Sequence, residues 1–165
     1  MSDEMSDDYD RQYAIAVVSE ELSRAWALLS QEKRIFELAP AQDEPPPHAE
    51  FSFMIPMTIK SDASTFTVGV LIERADACTV ACAMFGSPPD DVSQEDLADA
   101  CSEVCNIFAS SIGDHLYYGQ TVIMGLPVVL NEADYTSLLP DIGPGDTYKS
   151  QSNGQFLSVV VFRHG

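Results

Sequence analysis

Two spacings of apolar residues divide the chain. At steps of three and four, Ile15, Val18, Leu22, Trp26 and Leu29 form a stripe that predicts a helix over 12–37. Pro40 ends it, and Glu44-Pro45-Pro46-Pro47 predicts a stiff extended linker. The step then changes to two. Phe51, Phe53, Ile55, Met57 and Ile59 alternate along a predicted strand over 51–60, in which Pro56 marks an edge or a bulge because it has no N–H for a ladder. Ser61-Asp62-Ala63-Ser64 turns the chain into a second strand over 65–73, with Phe66, Val68, Val70 and Ile72 on one face. A third strand is predicted over 77–85, making a meander. Gly86-Ser87-Pro88-Pro89-Asp90-Asp91 breaks the sheet.

The helical spacing then returns. Ser93 with Asp96 three residues later reads as a capping box, and Glu95 and Asp96 suit the positive end of a helix dipole. Leu97, Cys101, Val104, Cys105, Phe108 and Ile112 form the apolar stripe of that helix. His115-Leu116-Tyr117-Tyr118 has no decisive period. A strand over 121–130, a short helix over 132–139, loops at 142–146 and 150–154, and a last strand over 156–162 follow. That last strand is apolar on both faces, which predicts a central place in the sheet. The sum is an α/β (α+β) domain, helices packed on an antiparallel-rich sheet, in the order helix–strands, helix–strands. Ser19-Glu20-Glu21-Leu22-Ser23 overlays Ser102-Glu103-Val104-Cys105-Asn106, with Glu20 on Glu103 and Ser23 on Asn106.

Composition changes this picture in one respect. The length suits one domain, assigned to 11–165, and the acidic, Ser-rich residues 1–10 are expected to be a disordered tail. The formal net charge of −18 argues against nucleic acid and anionic membrane as partners, since both would repel the surface. No apolar run reaches the length of a membrane span and the polar start is unlike a signal peptide, so a cytoplasmic location is expected.

Candidate chemistry is sparse. Cys78 and Cys82, and Cys101 and Cys105, form two C-x-x-x-C pairs. On a strand, Cys78 and Cys82 would lie about 13 Å apart, too far to share one zinc ion. Cys101 and Cys105 fall in the apolar stripe, so all four read as small core residues. No metal or cofactor is expected on the chain. Asp114-His115 lacks a partnered nucleophile motif, and the glycines form no phosphate-cradling loop before a helix. The polar side of the capped helix is more telling. Asp99, Glu103, Asn106 and Ser110 follow the helical period opposite the apolar stripe. Glu103 and Asn106 sit about 60° apart and one turn apart, aimed outward together. A helix interior gains little from Asn, which prefers caps and turns.

The string D-L-x-D-A-x-x-E-x-x-N, from Asp96 to Asn106, resembles the signature helix of the CheC/CheX/FliY chemotaxis phosphatases, closest to the CheX-like branch. Ala83-Met84-Phe85-Gly86 is similar to the end of the family's preceding strand. Met124-Gly125-Leu126-Pro127-Val128-Val129 is similar to the Pro-bearing strand after the helix. The glycine that family helices carry soon after the Asn is delayed here to Gly113, which leaves the helix end open. The resemblance implies that Glu103 and Asn106 are the working residues and that the partner is a phosphorylated CheY-like response regulator. Its aspartyl phosphate would be the substrate and its own Mg²⁺ the metal. Asn106 would hold the attacking water through a carboxamide that both accepts and donates without adding charge. Glu103 would dock the regulator's conserved lysine. Asp99 and Ser110 extend the same face toward the partner. Only one of the two pseudo-repeat helices keeps the motif. The resemblance also implies a possible homodimer formed through the sheets, to which the last strand could contribute. A non-catalytic binding module of the same fold is the alternative, because fold does not fix function.

Overall fold

The computed structural model describes residues 2–40, 46–139, 145–152 and 155–163. Helix α1, Ser2–Ser30, opens the chain. Residues 2–10, expected as a tail, fall within its span, and the helix ends seven residues before the predicted 37. Val18, Leu22 and Trp26 are buried as their spacing predicted, with Ile15 and Leu29 packed at the margin. Strands β1 Glu37–Leu38, β2 Phe51–Ile59 and β3 Thr65–Ile72 come next. Glu44 and Pro45 of the predicted linker lie outside the described residues.

Residues 77–85 are not a strand. They belong to helix α2, Arg74–Phe85, which ends at Gly86 in the left-handed conformation with its N–H bonded to the Cys82 carbonyl. Ala77, Val80 and Ala81 are its buried apolar residues, a helical step that a run of small apolar residues also satisfies as a strand. The meander thus stops at two strands. Cys78 and Cys82 are one helical turn apart rather than 13 Å apart, with Sγ atoms at 3.9 Å. Both are half-buried, so they are not core residues, whereas Cys101 and Cys105 are.

Helix α3, Gln94–Leu116, begins with the predicted capping box. The Asp96 N–H donates to Ser93 Oγ at 3.0 Å, and the Ser93 N–H donates to Asp96 Oδ2 at 3.1 Å. The helix runs through Gly113, which packs against Val122 of the following strand. A Cβ there would meet Val122 Cγ1 at 3.4 Å. Strands β4 Val122–Met124 and β5 Val128–Val129, helix α4 Glu132–Leu138, and strands β6 Gly145–Ser152 and β7 Gln155–Arg163 complete the chain.

All pairings are antiparallel, in the order β1-β6-β7-β3-β2-β4, with β5 also on β2. Pro56 sits neither at an edge nor in a bulge of its own strand. Its partner strand breaks opposite it: β4 pairs with Met57–Ile59 and β5 with Phe53–Met54. Between them the Gly125 N–H donates to the Pro56 carbonyl at 2.7 Å. A Cβ on Gly125 would lie 2.6 Å from Pro56 Cγ, so this close pass requires glycine. The predicted continuous strand over 121–130 is split for that reason. Strand β6 replaces a stretch read as two loops, of which residues 142–144 and 153–154 lie outside the described residues. Strand β7 is central, as predicted.

Alternation along β2, β3 and β7 divides the core. Phe53, Ile55, Val68, Val70, Val159 and Val161 face α1, α2 and α3, while Met54, Leu71, Val160 and Phe162 face the other side, with Tyr135 of α4. The α1–β1 connection is fastened by buried Arg34. Its Nη1 donates to Asp76 Oδ1 on α2, and its Nε and Nη2 to Ser150 Oγ and O on β6. Burial raises the Asp76 pKa in spite of this partner, and Asp76 Oδ2 has no hydrogen bond among the described residues.

Candidate functional site

Helix α3 is held from three sides. Its buried row includes Leu97, Ala100, Cys101, Val104, Cys105, Phe108 and Ile112, packed on the sheet and on α1 and α2. The Phe108 ring meets Phe36 edge-on at 5.5 Å between centroids. Burial pushes the Cys101 thiol up to about 12 and the Cys105 thiol further, so both stay protonated and apolar in the core. Truncating a side chain such as Phe108 to Ala would cost about 3–5 kcal/mol. A support of that stiffness fixes where the opposite side of the helix points.

On that side, Asp99, Glu103 and Ser110 are exposed and Asn106 is half-buried, with Ser102 and Ile107 half-buried beside them. The structure brings all four predicted residues onto one face, at steps of four, three and four. Neither Glu103 nor Asn106 makes a hydrogen bond or ion pair among the described residues. Two other carboxylates are occupied: Asp96 caps the helix, and Glu50 pairs with Arg74 at 2.6 Å. The face carries no Lys or Arg, since α3 contains neither. The one basic residue in the last turn of α3 is His115, whose Nε2 lies 3.9 Å from Glu21 Oε2 on α1. An uncommitted carboxylate and an uncommitted carboxamide thus stand together on a negative surface. The first can accept from a cationic donor. The second can accept from water and donate to an oxyanion at once. Such a surface attracts a partner with a basic patch and repels an acidic one.

Among the described residues no three His, Cys, Asp or Glu side chains gather as a metal-binding group. No described helix is long and apolar enough to cross a membrane. One pair of chemically capable side chains was set too far apart by the sequence pattern, Cys78 and Cys82 on α2. Their four-residue spacing was the available signal, and it was masked by reading a strand.

Comparison with solved structures places this architecture. The chemotaxis protein CheX from Desulfovibrio desulfuricans superposes with a TM-score of 0.67, over 92% of this chain and 99% of that one, at 14% identity. The chain has the CheX fold. CheX from Vibrio vulnificus gives 0.68 over 91% and 98%, at 13% identity. A chain of the CheX–CheY–BeF3–Mg²⁺ complex from Borrelia burgdorferi gives 0.67 over 92% and 97%, again at 13%. No model of a known protein family matches the sequence, and no curated protein matches it. At these identities the likeness is one of fold, so the reading of α3 as a site rests on the geometry of its exposed face.

Proposed function

We propose that this chain is a phosphatase acting on the aspartyl phosphate of a CheY-like response regulator. The observation that carries the reading is the pair Glu103 and Asn106, together on the polar face of α3 of a CheX fold and without a side-chain partner among the described residues. A structural neighbour that is a CheX in complex with CheY, BeF3 and Mg²⁺ supports the choice of partner. In this reading the regulator brings its own Mg²⁺ and its acyl phosphate to the face formed by Asp99, Glu103, Asn106 and Ser110. Glu103 accepts a charge-assisted hydrogen bond from the regulator's lysine and fixes the docking register. The Asn106 carboxamide oxygen accepts from a water and aims its lone pair at phosphorus, in line with the aspartyl oxygen. The P–O bond to the aspartyl group breaks as water's oxygen bonds to phosphorus, releasing a carboxylate, inorganic phosphate and a proton. An acyl phosphate is already activated, so positioning and electrostatics supply the catalysis. An Asp at 106 would repel both the phosphoryl group and the nucleophile, which is why a carboxamide suits the position.

The decisive experiment mixes the protein with phosphorylated CheY-like regulators and follows phosphate release. Accelerated release that disappears with Asn106→Ala supports the reading. Binding without acceleration replaces it with the non-catalytic module. In the same reading the protein works in the cytoplasm and forms a homodimer. The surface for that is the apolar strip Ile123, Met124, Leu126, Val128 and Val129, exposed along the β4–β5 edge. Strand β7 is enclosed between β3 and β6 and offers no edge for the purpose. A monomer mass by light scattering at high concentration would remove the dimer.

A further inference from the structure

Nothing on α3 accounts for the two half-buried cysteines of α2. Cys78 and Cys82 stand one turn apart with their Sγ atoms in contact at 3.9 Å. They open onto a cleft of about 530 Å³ between α2 and the residues that end α1, lined also by Ser30, Gln31, Glu32 and Thr79. Burial, then the hydrogen bond and charge of Cys78, push the Cys82 thiol up. A ligand for this pair must therefore compete with protons for sulfur, which soft cations do.

We propose that Cys78 and Cys82 form a two-thiolate site for a soft d¹⁰ cation, copper(I). Thiolates select soft ions. With metal–sulfur bonds near 2.3 Å, two sulfurs on opposite sides of one ion stand about 4.6 Å apart. The observed 3.9 Å needs an opening of less than about 1 Å, within reach of small χ changes in half-exposed side chains. A structural zinc site takes four protein ligands. Among the described residues, no third His, Cys, Asp or Glu joins the pair. Copper(I) is satisfied by two thiolates. Uptake breaks two S–H bonds, forms two S–Cu bonds and sends two protons to solvent, with no electron transferred. The product carries one negative charge. The inference is independent of the phosphatase reading, because no residue of α3 takes part.

The test is an anaerobic titration of the full chain with copper(I) against bicinchoninate. Wild type is expected to withhold one equivalent, to show a sulfur-to-copper absorption in the ultraviolet and to release two protons per ion. Cys78→Ser and Cys82→Ser are each expected to lower the affinity by more than about 100-fold, and the double variant to abolish it, with far-UV circular dichroism unchanged. Wild type that withholds no copper, or a double variant that keeps the full equivalent, would overturn the site. A measurement on wild type alone guards against variants that fail to fold: copper(I) should protect the peptide holding Cys78 and Cys82 from alkylation by iodoacetamide. Equal labelling with and without copper(I) would overturn the proposal as well.

Discussion

Helices α1 and α3 occupy related places on one face of the sheet and overlay in sequence, yet they spend their polar residues differently. On α1, Ser23 stands where α3 has Asn106. Its hydroxyl donates to the Ser19 carbonyl at 2.8 Å and accepts the Phe36 N–H at 3.0 Å. That bond holds Phe36, whose ring packs on Phe108 of α3. Glu20, the counterpart of Glu103, lies 3.7 Å from Arg24, and the next residue, Glu21, pairs with Arg24 at 3.2 Å. Ser23, Glu20 and Glu21 of α1 are engaged within the fold, while Glu103 and Asn106 of α3 have no side-chain partner among the described residues. A hydrogen bond already satisfied within the chain is not available to a partner. The same scaffold helix therefore acts as a fastener in one half and can act as a working surface in the other.

The sharpest way to break this contrast is Asn106→Ala. Removing a group that positions the nucleophile is expected to lower kcat by roughly 10²- to 10³-fold, by analogy with loss of one oxyanion-hole donor. The fold should be untouched or gain a few tenths of a kcal/mol from helix propensity. Steady-state dephosphorylation with melting curves alongside checks both parts. An unchanged kcat means that α3 is a docking face only. An Asn106→Ala protein that loses activity by unfolding means that Asn106 was structural after all, like Ser23.

Glu103→Gln comes next. Loss of the charge, with the shape kept, should raise KM about tenfold, a cost of about 1.4 kcal/mol, and flatten the salt dependence of regulator binding, with kcat little changed. A kcat effect as large as that of Asn106→Ala would merge the two roles.

On α1 the direction should invert. Ser23→Ala leaves the part-buried Phe36 N–H without its acceptor, a loss of about 1–2 kcal/mol and roughly 2–8 °C in Tm. Activity per folded molecule should not change. Loss of turnover without loss of stability would show that α1 carries a site of its own. The smallest effect is expected for Arg24→Ala, which removes ion pairs of an exposed guanidinium with exposed Glu20 and half-buried Glu21 and should cost less than about 0.5 kcal/mol in urea denaturation. A larger loss would mean that the Arg24 cluster organises α1 beyond what exposed pairs normally do.

What the sequence determined by itself is what depends on near neighbours in the chain. The capping box at Ser93 and Asp96, the stripe from Leu97 to Ile112, the alternation of β2 and β3 and the placement of Glu103 and Asn106 opposite that stripe are all local consequences of helix and strand periods. Tertiary structure decided the rest. Residues 77–85 could serve either period, and packing against α3 and α1 made them a helix. Gly145–Ser152, almost without apolar residues, is a strand only because β7 supplies its hydrogen bonds and the core admits Tyr148 and Ser150. The stretch after α3 splits because Pro56, far away in the chain, leaves a place that only Gly125 can pass. The difference between Ser23 and Asn106 is decided in the same way. Whether a polar side chain on a helix is free or bound depends on which distant backbone group arrives beside it, and for Ser23 that group is the N–H of Phe36.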